Sequence, residues 1–329
     1  MSRFLRIWGP GLILSISAIS SAFASCGSSF CSINANWDEH GLHKPGWRAD
    51  LRYSFSHADT LRSGSDKISA DTAAAGEVEN LGTYNRILTA TADYTYNTRW
   101  GATIVVPYIY RFHDHNIGPY SGSTPADYES FHTAAPGDVR IVGRYRWSVD
   151  AEHGTGLGFK FGLKLDTGKQ DATIKQTGEV PEEVTLQTGN GSTDAILGLF
   201  WHRSPPGQDL SWFAQGTVQT SINADSTFRP GNSVTIDGGL RYAMNHALSS
   251  LLQLNGQWNH ADSRADAALT ESLERSSGGK TLTLSPGLIY AVTRSSQVYA
   301  LIQLPLYQYV NGEQLTADQS LVFGVDHRF

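Results

Sequence analysis

Past residue 24 the sequence holds no long apolar run. A membrane-spanning helix needs about 20 apolar residues in succession, so a bundle of such helices is excluded. Charge is sparse: Asp, Glu, Lys and Arg make up 17 % of the 329 residues, and the formal net charge is −6. With no basic excess, nucleic acid is excluded as a partner by charge. No P-loop, dinucleotide fingerprint or HExxH pattern occurs, and nothing calls for a cofactor. No plug domain stands ahead of the strand-rich region, which argues against a TonB-dependent transporter. Cysteine occurs twice, at Cys26 and Cys31. Disorder is excluded too, because 40 % of the residues are hydrophobic.

The first 24 residues stand apart. Arg3 and Arg6 precede an apolar centre, and Ala22-Phe23-Ala24 closes it. That pattern predicts an export signal over 1–24, cleaved after Ala24. Without those two arginines, 23 Lys and Arg face 31 Asp and Glu, a net charge of −8. Residues 25–45 are predicted to form a periplasmic N-terminal segment. Its close cysteine pair suggests a small disulfide loop in an oxidising compartment. Two rival readings are lipidation of Cys26 and a soft-metal site with His40 or His43.

From residue 46 to 329 the chain reads as twelve segments with period-2 alternation. They cover 46–57, 82–97, 99–112, 137–149, 155–166, 192–203, 210–221, 232–245, 247–259, 280–292, 296–308 and 317–329. Residues 46–57 set Trp47, Ala49, Leu51, Tyr53 and Phe55 against Arg48, Asp50 and Arg52. Residues 155–166 set Leu157, Phe159, Phe161, Leu163 and Leu165 against Lys160, Lys164 and Asp166. Short and long connections alternate strictly. The longest, 58–81, 113–136 and 167–191, are polar. A soluble sandwich has no reason to alternate so, whereas an outer-membrane barrel has short periplasmic turns and long external loops.

Aromatic residues repeat the pattern. Trp47, Tyr94, Tyr96, Trp100, Trp147, Trp201, Trp212, Tyr242, Tyr290 and Phe329 all fall beside a short turn or a chain end. Rings at one level make a girdle at a membrane–water interface. Tyr108, Tyr110, Phe112 and Trp258 would form the outer girdle. The fold class expected is therefore all-β: a closed antiparallel up-and-down transmembrane barrel of about twelve strands. Its last strand must meet its first, because an open edge in lipid leaves backbone groups unsatisfied. Phe329 would end that strand, and by resemblance to outer-membrane proteins it would signal to the barrel-assembly machinery.

If one face meets lipid, the other lines a lumen. The selectivity candidates are Arg48, Arg52, Arg111, Arg140, Arg144, Arg146, Lys160, Lys164, Arg241, Asp138, Asp194 and Asp237. Asp50, Asp93, Asp166, Asp326 and Arg328 complete ten basic and seven acidic positions. Mixed charge can simply cross-pair inside a narrow barrel. Alternatively Arg140, Arg144 and Arg146, with Lys160 and Lys164, form a basic ladder selecting anionic or polar solutes. His113 and His115 in "RFHDHN" offer a weak metal site on one side of an extended chain, against the reading of a solvated loop tip. His202 with Ser204, and His260 with Ser263, are the nearest approach to a hydrolase, without a surrounding motif.

"LGFKFGLKLDTGKQDA" (157–172), "LQTGNGSTDAILGLFW" (186–201) and "GDVRIVGRYRW" (137–147) resemble a bacterial outer-membrane β-barrel family, the transporters of the MetA pathway of phenol degradation. Asp166 stands where that family usually has Pro, and Asn190 where it has Thr. The resemblance implies an outer-membrane barrel and no catalytic residues. The expected function is passive passage of a small solute, aromatic or anionic, through a charged lumen, with the long loops gating the outer mouth. A plugged structural or binding barrel, whose N-terminal segment docks a periplasmic partner or metal, is the alternative. A rim-located hydrolase is the third.

Overall fold

The structure is a computed structural model and describes residues 45–69, 78–117, 127–171, 186–224, 228–264 and 277–329. The expected signal 1–24, the segment 25–45 apart from its last residue, and Cys26 and Cys31 lie outside the described residues.

Every ring strand is antiparallel to its neighbours. In chain order the elements are β1 (Gly46–Gly64), β2 (Asp66–Lys67), β3 (Val78–Thr95), β4 (Trp100–Ile117), β5 (Asp127–Pro136), β6 (Arg140–Asp150), β7 (Thr155–Lys164) and β8 (Ser192–Arg203). Then come β9 (Leu210–Ala224), β10 (Phe228–Arg229), β11 (Ser233–Ala243), β12 (Leu248–Asn259), β13 (Ser263–Arg264), β14 (Gly279–Ala291) and β15 (Ser296–Arg328). Neighbours in sequence are neighbours in the ring, and β15 pairs with β1 to close it. The short β10 and β13 pair with each other, outside the ring.

Two elements need care in counting. β15 reverses at Asn311-Gly312, where Gly312 takes φ +58°. Residues before the turn pair with β14 and residues after it pair with β1. An Asn-Gly pair with positive φ is the favoured two-residue hairpin turn. β5 and β6 share β4 as partner, β5 on its outer half and β6 on its inner half. They make one crossing, interrupted at 137–139. The ring thus has eleven continuous tracts and twelve crossings, and a closed, wholly antiparallel ring requires an even number.

The short turns follow one local rule. Asn97 Oδ1 accepts the N–H groups of Arg99 and Trp100, and Asn245 Oδ1 accepts those of Ala247 and Leu248. Thr293 Oγ1 does the same for Ser295 and Ser296. A short polar side chain that bonds its own following backbone is what makes Asn and Thr turn formers.

The barrel is inside out relative to a soluble protein. Leu197, Leu199, Ile222, Ile236 and Leu288 are each more than half exposed, while Arg144, Arg146, Asn85, Gln253 and Ser285 are 0–1 % exposed. In water that distribution would be untenable. In a bilayer it is required, since outward charge at the midplane costs about 2–4 kcal/mol per residue. The expected girdle is present. Trp47, Tyr96, Trp100, Trp147, Tyr242, Tyr290 and Phe329 are exposed at the short-turn end, with Tyr94, Trp201 and Trp212 partly so. Tyr108 and Trp258 are exposed at the other end, joined there by Tyr307 and Tyr309.

The outer boundaries differ from those read in the sequence. β1 continues to Gly64 rather than stopping at 57, β4 continues to Ile117, and 127–136 of the expected loop 113–136 is strand. In these extensions one face stays buried, as at His113, Phe131, Thr133 and Ala135, but the opposite face carries no apolar row. The alternation that marks a strand in sequence fades there, while backbone pairing persists.

Candidate functional site

The lumen is built from the second residue of each alternating pair. On β1 the inward positions are Arg48, Asp50, Arg52, Ser54 and Ser56. Across the register stand Asp93, Thr91, Thr89, Ile87 and Asn85 of β3. The same alternation carries around the ring. It places Arg111 on β4, Arg140, Arg144 and Arg146 on β6, Lys160 and Lys164 on β7, Asp194 on β8, and Asp237 and Arg241 on β11, all facing in. Asp50, Asp93, Asp326 and Arg328 also face in.

Asp166 does not. β7 ends at Lys164, and Asp166 lies exposed beyond it, accepting a bond from Gln170 Nε2 at 3.1 Å. Of the candidate positions, all among the described residues, ten cations (Arg48, Arg52, Arg111, Arg140, Arg144, Arg146, Lys160, Lys164, Arg241, Arg328) thus stand with six carboxylates (Asp50, Asp93, Asp138, Asp194, Asp237, Asp326).

Near the short turns the interior is filled by the wall's own side chains. On the β1–β6 side the filling is ionic. Arg144 forms an ion pair with Asp93, its Nη2 donating to Asp93 Oδ1 at 2.9 Å and to Thr95 Oγ1 at 2.7 Å. Thr103 Oγ1 donates to Asp93 Oδ2 at 2.6 Å. Arg48 faces Asp326 at 3.4 Å, and Tyr299 Oη donates to Asp50 Oδ2 at 2.7 Å. Arg146 Nη1 donates to Thr98 O at 3.2 Å, and its guanidinium lies 5.9 Å from the centre of the Phe200 ring. On the β9–β15 side the filling is apolar: Phe213, Leu251, Ile289, Tyr299, Leu301 and Val322 form one buried cluster. Two glycines make room for it. A Cβ at Gly239 would meet the Phe213 ring at 2.5 Å, and one at Gly324 would strike the Tyr299 ring. Gln253 and Gln303 are buried beside this cluster, and their amides find no protein partner among the described residues.

Two polar networks sit higher. In one, Lys160 Nζ donates to Gln215 Oε1 (3.0 Å), Gln215 Nε2 to Asp237 Oδ2 (2.7 Å), and Asn255 Nδ2 to Asp237 Oδ1 (2.8 Å). In the other, Lys164 Nζ lies 2.8 Å from Asp138 Oδ2 and 3.5 Å from Asp194 Oδ2, and donates to Ser192 O at 2.8 Å. Asp138 Oδ1 accepts the N–H of Gly168 at 2.9 Å. The second network ties the break between β5 and β6 to the stretches "LDTGK" and "TGNGSTD", whose function the sequence left unassigned. Gly168 and Gly189 approach so closely there that a Cβ on either would meet the other's backbone at 2.6 Å. From that junction, residues 186–189 turn inward and are buried. Arg111 Nη1 donates to Gln187 O at 3.4 Å, and Arg111 Nε to Asn85 Oδ1 at 2.7 Å.

The basic ladder does not act as one unit. Arg144, Arg146 and Lys164 are 0–4 % exposed and committed to partners. Arg140 differs: it is partly exposed, and no hydrogen bond or ion pair joins it to any described residue, although Asp138, Asp194 and Arg52 lie within electrostatic range. His113 is not at a loop tip. It is buried in the wall, its Nδ1 2.7 Å from Thr83 Oγ1. The side chain of His115 lies outside the described residues. His202 is buried in the lumen while Ser204 is exposed at a turn, so that pair does not assemble.

The comparisons bear on the family and the fold. Residues 61–311 match the model of the family described as "Putative MetA-pathway of phenol degradation". The COG4313 outer membrane channel from Pseudomonas putida F1 superposes with a TM-score of 0.62 at 13 % identity, over 90 % of this chain and 99 % of that one. A FadL homologue from Pseudomonas aeruginosa gives 0.45 at 12 % identity, over 86 % and 90 %. No curated protein matches the sequence.

Proposed function

The chain belongs to the family described as "Putative MetA-pathway of phenol degradation", and we propose that this outer-membrane barrel passes small solutes passively, its lumen favouring anions. The observation that carries this reading is the sign of the interior. Among the described candidate positions, ten inward cations against six carboxylates leave an excess of four positive charges, in a chain whose own net charge is −6. A low-dielectric wall lined by one sign of charge concentrates the opposite ion. Under this reading the outer segments within 58–81, 113–136 and 167–191 control the mouth. The contact of Arg111 with Gln187 is the described part of that control. Phe329, 80 % exposed in the inner girdle, would be read by the barrel-assembly machinery.

The test is the reversal potential of the purified barrel in planar bilayers under a KCl gradient. Chloride preference is expected, reduced or inverted by Arg140→Glu. Cation preference would overturn the anion filter. Charge reversal at Arg144 tests stability instead, because its partner Asp93 is buried with it.

The filled interior near the short turns favours a second reading: a closed binding barrel. Absence of current from protein that binds ligand would support it.

A further inference from the structure

The lipid-facing wall is not uniformly ridged. Across the seam where β15 meets β1 it holds an open hollow of about 570 Å³. Its smallest lining residues are Ala300 and Gly324. Leu288 and Tyr290 of β14 stand on one side, and Phe323 of β15 with Tyr53 of β1 on the other. These four are large and exposed, whereas Ala300, which pairs with Leu288, carries only a methyl. A short outward side chain among long ones leaves the hollow. No residue lining it is charged. It does not open into the lumen: behind it the Tyr299 ring lies so close to Gly324 that a Cβ there would strike it.

Something must fill this hollow. Water is absent from the hydrocarbon band, and an unfilled void forfeits dispersion contacts along its lining. The hollow begins at Tyr290, in the inner aromatic girdle, and is therefore continuous with the surface that meets the inner leaflet. The turn from β14 to β15 lies just below. Val292 N donates to Ser296 O at 2.9 Å and Thr293 N to the same oxygen at 3.1 Å, which leaves Arg294 in the turn. Arg294 is exposed and makes no hydrogen bond or ion pair with any described residue. We propose that the hollow is a binding site for one inner-leaflet phospholipid, with an acyl chain in the hollow and the phosphate on Arg294. A chain seated there touches wall on several sides rather than one, so it stays longer than its neighbours in the surrounding lipid. A guanidinium donates charge-assisted bonds to phosphate oxygens. The site does not depend on whether the lumen conducts.

Native mass spectrometry of the full-length protein in detergent tests it, with palmitoyl-oleoyl phosphatidylethanolamine and the corresponding diacylglycerol as probes. One phospholipid per barrel should stay bound after the surrounding lipid is stripped. Ala300→Trp fills the hollow and should lower the bound fraction at least tenfold. Ala195→Trp, on β8 and away from the hollow, should leave it unchanged. Arg294→Gln should weaken phospholipid binding and spare diacylglycerol, which has the chains without the phosphate. Heat-modifiable gel mobility would show that each variant is folded. Absence of retained phospholipid, full retention by folded Ala300→Trp, or equal loss from Ala300→Trp and Ala195→Trp would overturn the site. Unaltered phospholipid binding by Arg294→Gln would overturn the phosphate contact. Paired barrels that carry no lipid and separate on Ala300→Trp would overturn the lipid and assign the hollow to a second copy of the chain.

Discussion

On the β1–β6 side of the filled interior the packing is done by ions; on the β9–β15 side it is done by rings and aliphatic chains. Both sides are excluded from water, yet they are held by different physics. Arg144 and Asp93 were taken from water and are stable there only because each completes the other. Removing one partner of such a pair costs far more than the pair itself contributes. Phe213, Leu251 and Ile289 carry no such mutual obligation. Truncating one leaves a hole, and in a lumen the hole can fill with water. The ionic side is thus rigid and all-or-none, and the apolar side is where the interior can yield.

The largest effect that would test this contrast is at Asp93. Asp93→Ala should lower unfolding stability in detergent by about 3–5 kcal/mol, read from the urea midpoint, because Arg144 stays buried without a counter-charge. A paired Asp93→Leu, Arg144→Met variant should recover most of that loss. Next is Phe213→Ala. It should cost about 3 kcal/mol, at the low end for a core Phe because water can enter, and it should raise conductance where Asp93→Ala does not. Third is Gln303→Leu. It removes a buried amide with no protein partner among the described residues and should stabilise the barrel by about 1 kcal/mol while lowering conductance. The smallest effect is at the exposed Asp150, whose carboxyl the His153 N–H groups hold below its usual range. A depressed folded-state pKa gives stability that is present at neutral pH and lost as pH falls through it. Fully exposed, Asp150→Asn should leave the urea midpoint at pH 7 unmoved within error.

Legibility in the sequence followed the same physics. Where one strand face meets lipid and the other the lumen, as from Trp47 to Phe55, the alternation places every side chain correctly. At 113–117 and 127–136 the buried face holds His113 and Thr133 and the opposite face carries no apolar row, so the strands went unread. The inward direction of Arg140, Arg144 and Arg146 was legible, because it depends only on parity. Their division into held and unheld groups was not. It depends on Asp93 lying two strands away from Arg144 and on the short-turn carbonyl of Thr98 reaching Arg146. His113 was misplaced for a related reason: its partner Thr83 stands thirty positions away.

Gln253 and Gln303 give the apolar side a property that a plain hydrocarbon plug would lack. A first water molecule admitted there meets amide donors and acceptors that no described protein group engages, and its bonds to them make room for a second. Flooding would then be self-reinforcing and so would drying, with few stable fillings in between. A lumen of that kind switches in abrupt steps, and its dwell times should respond to hydrostatic pressure and to osmolytes.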